Sequence, residues 1–249
     1  MSSPSNIFET KRSSTVADRN IYETGQYLEK NPRWDVDESA WKARQVLRMI
    51  ERNDLHPKTI CDVGCGAGEV LKQLQEKMPQ NCCFCGYCGY EISPDAFVLC
   101  QLRTNKGLDF KLMEIRDEKE VFFDLILVLD VEHLEDYFSF LREIQPKSQH
   151  KIFHIPLDLS VQTVFRPYGL AKRRDMYAHL HYFTKDIVLR IFEDLHYRVL
   201  DYFYTPRSIE LAEEPIQRVL KLPRKVFFRL HQDFAVRVLG GLSLLVLAK

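Results

Sequence analysis

No stretch of this 249-residue sequence is apolar for the ~20 residues that a bilayer-spanning helix needs. The longest apolar run, VLGGLSLLVLA near the end, is shorter and is broken by two glycines. No secretory leader is expected either. The opening MSSPSNIFETKRSSTVADRN is polar and has no apolar centre, which sets the expectation of a cytoplasmic protein. An excess of either charge is also missing: 35 Lys and Arg balance 35 Asp and Glu, so no global field draws in nucleic acid or an anionic membrane. No nucleic-acid partner is expected. Paired cysteines are not indicated either, because seven is an odd count and no export signal accompanies them; reduced thiols are expected. Internal repeats and low-complexity segments are absent beyond the polar start.

What is present is an ordinary globular composition, 45% hydrophobic and 28% charged, in a chain long enough for one α/β domain with added caps. Residues 1–20 read as a flexible tail. Residues 21–57 read as an N-terminal helical cap, the clearer helix opening at Asp37-Glu38-Ser39 and placing Trp41, Val46, Leu47 and Ile50 at helical spacing. Trp34, in a turn after Asn31-Pro32, reads as exposed.

From Thr59 the period changes. TICDVG, CCFCGYCGYEIS, LDFKLMEI, FDLILVLDV and HKIFHIPL read as strands, with helices between most of them; YRVLDYFYT and GGLSLLVLAK follow later. Apolar strands alternating with helices imply a mostly parallel sheet covered on both faces. The long connection before the last strand implies that this strand returns antiparallel. The fold class is therefore α/β: a Rossmann-like three-layer sandwich on a seven-stranded sheet, occupying residues 58–249. Cap or lid insertions are expected near 157–182 and 206–238.

The most informative stretch is CDVGCGAGEV, with Asp62, Gly64, Cys65, Gly66 and Gly68. Alternate glycines between a strand and a helix let the backbone turn sharply and approach a ligand closely. A P-loop would need Gly-Lys-Ser/Thr where Glu69-Val70 stand, and a dinucleotide fingerprint would need glycine at Glu69. A plain tight turn is the remaining alternative.

An acid followed by G-x-G-x-G resembles motif I of class I S-adenosylmethionine-dependent methyltransferases. FDLILVLDVEHLEDYFSFL resembles that family's fourth strand and following helix, one residue short between Val131 and Glu132. HYFTKDIVLRIFEDLHYRVLDYFY is similar to its late segment. The likeness covers roughly residues 40 to 205. It implies that S-adenosylmethionine is the cofactor, and that Gly64, Cys65, Gly66 and Gly68 wrap its aminoacyl and ribose parts. It further implies that Asp62 orients the loop and the ammonium, and that Glu91 accepts the ribose hydroxyls. Ile92, Glu114 and Asp130 complete the expected cofactor contacts.

Transfer to a hydroxyl needs a group to take its proton. His133, after the fourth strand, is the first candidate, His154 the second, with His181 behind them. Asp158 could face the acceptor or cap the next helix. Arg166, Lys172, Arg173 and Arg174 could bind an anionic acceptor or form a solvated face. Because no Asn-Pro-Pro-Tyr-like stretch follows the fourth strand, amino acceptors of the adenine or glutamine kind are disfavoured. The expected acceptor is a small molecule methylated at oxygen. The alternative is a domain of this fold with little or no catalysis that serves as a partner-binding module.

PIQRVLKLPRKVFFRLHQDFAVRVLGG holds six Lys or Arg against one Asp. It reads as a helical lid on the sheet or as a basic amphipathic surface for peripheral membrane contact through residues 215–240, with Pro223 interrupting any single long helix. The cysteine-rich CCFCGYC has one C-x-x-C spacing, Cys85 and Cys88, but no second pair or His motif to complete four zinc ligands. Adjacent Cys82 and Cys83 point to opposite faces of a strand. The cysteines are therefore expected to be packing residues, and no metal is expected.

Overall fold

A computed structural model describes Trp34 and residues 36–78, 86–129, 133–177, 179–211 and 215–249, with side chains except at 176, 177 and 215–217. The expected tail, the first part of the N-terminal cap, Cys82, Cys83, Cys85, Asp130 and Glu132 lie outside these residues.

Helix α1 (Val36–Arg52) begins with Asp37 and Glu38 and ends with Arg52, charges that complement the helix dipole. It buries Trp41, Ala43, Val46, Met49 and Ile50. Then come β1 (Thr59–Val63), α2 (Glu69–Lys77), β2 (Gly86–Glu91), α3 (Pro94–Gln101), β3 (Leu108–Leu112), β4 (Phe123–Val128), α4 (Tyr137–Ile144) and β5 (Ser148–Pro156). The short α5 (Val161–Val164) and α6 (Gly169–Tyr177) precede α7 (Lys185–Asp194) and β6 (Val199–Thr205). Helices α8 (Arg207–Glu210), α9 (Pro215–Leu230) and α10 (Gln232–Val238) lead to β7 (Ser243–Ala248). Capping side chains explain several starts: Ser93 accepts from Ala96, Asp136 from Ser139, and Thr184 from Ile187.

The seven strands form one sheet in the order β3-β2-β1-β4-β5-β7-β6, all parallel except β7, which is antiparallel to both neighbours. Alternation along the strands sorts the core into two layers. Leu125 and Leu127 face α1 and α2 together with Ile60 and Ile152. Ile126 and Val128 face α4 and α7 with Phe153, Phe140, Ile191 and Phe192. The chain leaves β1 toward β2 on one side and reaches β4 on the other, so the strand order reverses between β1 and β4. Val63, Tyr90 and Val128 lie in register at that point. A crevice at the carboxyl ends of the strands is the expected ligand site of such a sheet.

Two sequence expectations change. Trp34 is buried, packed in a small cluster with Ala67 and Ala96; a tryptophan with an apolar loop to cover gains more there than in water. Pro223 does not interrupt α9, which runs through it. Pro223 and the turn before it, residues 218–222, are exposed, so the carbonyl it leaves without an amide lies on the water side of the helix.

Candidate functional site

At the switch point lies a cleft of about 190 Å³. Its floor is the glycine loop. Gly64 and Cys65 donate their amides to the Tyr90 carbonyl at 2.8 and 3.1 Å, which hooks the loop to the end of β2. Gly64, Gly66 and Gly68 all have positive φ, the region that side chains disfavour. At Gly66 there is a second demand: a Cβ would stand 2.7 Å from the Trp34 ring. Gly89, inside β2, meets a similar demand, because a Cβ there would lie 2.6 Å from the Cys65 sulfur and 2.5 Å from Phe110. Gly89, in the second Cys-Gly-Tyr, thus leaves room for the loop to pack on the sheet.

Glu91, the last residue of β2, is almost fully buried and acts as a clamp. One carboxylate oxygen accepts the Gly66 amide at 2.7 Å; the other accepts Ile92 and Ser93 at 2.9 and 2.8 Å. Burial raises its carboxyl above the ordinary range, against the pull of these three amides. Three of roughly four acceptor positions on a carboxylate are spent this way, leaving room for about one ligand hydroxyl. Asp62 is buried near the end of β1, between Gly89 and Leu127. Glu69 opens α2 and bonds Arg103 at 2.7 Å. Burial opposes ionisation of its carboxyl, but the bonds from Arg103 and Gln73 outweigh burial and hold it below the usual value.

Asp62, Gly64, Cys65, Gly66, Glu91, Ile92 and His133 all line the cleft. Gly68 lies beneath the loop against Phe110 and Cys100. Glu114 stands apart, paired with Arg116 at 2.5 Å on the turn after β3. His154 also stands apart: it is buried, bonded to Thr205 at 2.9 Å, with its ring edge-on to Trp41 at 5.7 Å. On β5 its side chain points into the helix-covered face rather than toward the strand ends. Asp130 lies outside the described residues.

Other residues complete the cleft. Trp34, Ser39 and Lys42 come from the N-terminal segment and α1, and Val128 and Leu129 supply an apolar wall. The His133 ring meets that of His179 edge-on, with centroids 5.1 Å apart. His179 donates from Nδ1 to buried Asp158 at 2.6 Å, and Arg173 pairs with the other Asp158 oxygen at 2.9 Å. His181 donates from Nε2 to the carbonyls of Leu134 and Glu135 and so ties down the loop after β4. The motif HLH carried a signal for these contacts, but only folding decides which histidine faces which partner.

The cysteines within the described residues pack in the core. Burial pushes the Cys61 thiol well up and Cys88 to about 11, while the contact with Cys100, and then burial, raises Cys65.

A family model described as methyltransferase domain matches residues 37–202. Among solved structures, the plantazolicin methyltransferase BpumL in complex with SAH is similar over 91% of this chain and 88% of that one, with a TM-score of 0.55 and 16% identity. The magnesium protoporphyrin IX methyltransferase ChlM from Synechocystis PCC 6803, with bound SAH, matches over 92% and 96% at a TM-score of 0.56 and 12% identity. The mycolic acid cyclopropane synthase CmaA1, complexed with SAH and CTAB, matches over 76% of each chain at 0.52 and 15%. At such identities the likeness establishes the shared architecture. The family model, which spans most of the chain and covers every residue lining the cleft but Trp34, shows more: the protein belongs to the methyltransferase domain family and is an S-adenosylmethionine-dependent methyltransferase.

Proposed function

We propose that the protein methylates an oxygen atom of a small-molecule acceptor held at the His133 side of the cleft. The observation that carries this reading is the array His133–His179–Asp158, a proton-accepting group at the cleft backed by a buried hydrogen-bonded pair. The similar solved structures, named for a natural product, a porphyrin and a mycolic acid, support a small acceptor.

The residues present fit the cofactor. Gly64 has nothing within 4 Å of where a Cβ would stand, so its open face is a cradle for a ligand. Asp62 and Glu91 suit an ammonium and a ribose hydroxyl, Lys42 suits a carboxylate, and Ile92, Val128 and Leu129 suit an adenine or thioether surface. When bound, S-adenosylmethionine supplies a methyl carbon activated by positively charged sulfur.

The chain's own contribution is alignment and proton removal. The glycine loop and Glu91 hold position through the Gly66 amide, and rigid placement of this kind can lower a barrier substantially. His133 takes the proton of the acceptor hydroxyl. His179, with its Nδ1 proton held by Asp158, fixes the position of the His133 ring and offers a polar neighbour as charge develops there. A positioned base of this type contributes about 10²–10⁴-fold in rate.

Calorimetric titration with S-adenosylhomocysteine, on wild type and on Gly66→Arg, tests the cofactor site. Binding by wild type that Gly66→Arg loses is the expected result; no heat and no thermal shift in folded wild type would sink the reading. Methyl transfer to hydroxyl-bearing acceptors that His133→Ala slows, with cofactor affinity kept, then tests the acceptor atom.

A further inference from the structure

Helix α9 is amphipathic in an unusual sense, because its apolar stripe faces outward. Val219, Leu222, Val226 and Leu230 recur every three or four residues and so share one side of the helix. Val219, Leu222 and Leu230 are 77%, 70% and 75% exposed. Arg218, Lys221, Lys225 and Arg229 each precede one of these residues, so a basic stripe runs beside the apolar one; no acidic residue stands on the helix. The anchoring side is different: Phe228 is buried, and Arg224 bonds Ser208 at 3.1 Å and the Gly240 carbonyl.

A second exposed apolar segment converges on the same anchor. The Gly240 amide donates to Gln162 at 3.2 Å, which ties α5 to the same turn that Arg224 of α9 holds. Just beyond, Phe165 and Tyr168 are 82% and 84% exposed. Topology places both segments at the cleft edge of the sheet. The segment after β5 leaves from its carboxyl end, and α8 to α10 connect the end of β6 to the start of the antiparallel β7.

We infer that α9, together with the Val161–Tyr168 segment, is a docking surface for an anionic lipid bilayer. Exposed apolar side chains would enter the headgroup boundary while flanking cations meet acidic headgroups, as interfacial helices do. Charge complementarity selects this occupant: in a chain with net charge zero, α9 sets Arg218, Lys221, Lys225 and Arg229 beside bare apolar side chains and carries no acidic residue. The surface puts the cleft edge of the sheet next to the membrane, where an acceptor dissolved in lipid is within reach. Docking itself stands apart from the methyl-transfer reading.

The test is cosedimentation of the full chain with phosphatidylcholine vesicles, with and without phosphatidylglycerol. Binding is expected only with phosphatidylglycerol and is weakened by salt. Arg218→Glu/Lys225→Glu/Arg229→Glu should lower partition by roughly a hundredfold, and Leu222→Ser/Leu230→Ser by about tenfold or more. All five positions are exposed, and unchanged circular dichroism and S-adenosylhomocysteine affinity serve as controls. Absence of partition, or partition that both variants retain, overturns the inference. So does a dimer in sedimentation velocity that Leu222→Glu dissolves without any vesicle binding, since the stripe would then be a self-interface. Loss of cofactor binding in wild type would count against the proposed function alone.

Discussion

Glu91 reaches from the end of β2 to the Gly66 amide at 2.7 Å, so one buried carboxylate sets the shape of the loop that would hold the cofactor. Loop geometry and carboxylate ionisation are therefore coupled. Burial raises the Glu91 carboxyl above its ordinary 4.5, so its charge costs stability at neutral pH and that cost is relieved as pH falls through the raised value. With three amides already bound, a ligand hydroxyl is accepted best by the charged form, which keeps all its acceptor positions. Affinity for S-adenosylhomocysteine should accordingly decline on acidification before an ordinary carboxylate would titrate. Glu91→Gln should bind at least about tenfold more weakly and lose this pH dependence, because its amide cannot accept all the donors now served. Calorimetry across a pH series checks both.

Gly66 carries two constraints that can be separated. Gly66→Ala forces a side chain into left-handed backbone at about 1–2 kcal/mol and drives a Cβ against the Trp34 ring, 2.7 Å away. Trp34→Ala removes only the second. The double variant should recover part of the thermal stability lost by Gly66→Ala, with tryptophan fluorescence reporting the change around Trp34 in the single variant.

On the proposed reading, His179 and Asp158 would act through His133 as positioning residues. His133→Ala should lower kcat by about 10²–10⁴-fold with cofactor affinity unchanged. Asp158→Asn should lower kcat less and shift the pH profile, since it weakens the acceptor of the His179 Nδ1 proton while keeping its shape. A purely structural role would lower stability and leave the profile where it is.

The Arg103–Glu69 pair at the start of α2 is mostly buried. Glu69 has a lowered carboxyl, so its contribution is present above the ordinary 4.5 and is lost as pH falls through the lowered value. Arg103→Ala should cost about 1.5–3 kcal/mol at neutral pH. Urea titrations should show the gap to wild type closing on acidification.

Cys61, Cys65 and Cys88 have raised thiols, and thiolate is the reactive form. Alkylation of native protein at neutral pH should leave Cys61, Cys65 and Cys88 themselves unlabelled until denaturant is added, as read by site-resolved tandem mass spectrometry.

Much of this was legible without coordinates. TICDVG, FDLILVLDV and LSLLVLA are apolar runs that have to be buried strands, and the helices between them carry their own caps and apolar stripes. Those signals act over one to four residues, the range in which backbone geometry and capping operate. The Asp62–Gly68 loop and Glu91 belong to the same class, because a strand that ends in an acid at the sheet edge needs no distant partner to be placed there.

What distant contacts decide was not legible. Whether Trp34 meets water or Gly66, whether His154 faces the cleft or Thr205, and which histidine of HLH meets His133 all depend on packing between segments far apart in the chain. Pro223 and the outward stripe of α9 belong here as well: an apolar spacing reports that a helix has a face, and only the surrounding fold determines whether that face is covered. The identity of the strands and the chemistry of the loop were determined by the sequence locally, while the order of the strands in the sheet was not. The environment of each side chain was decided by tertiary structure, because burial is a property of everything that surrounds a residue.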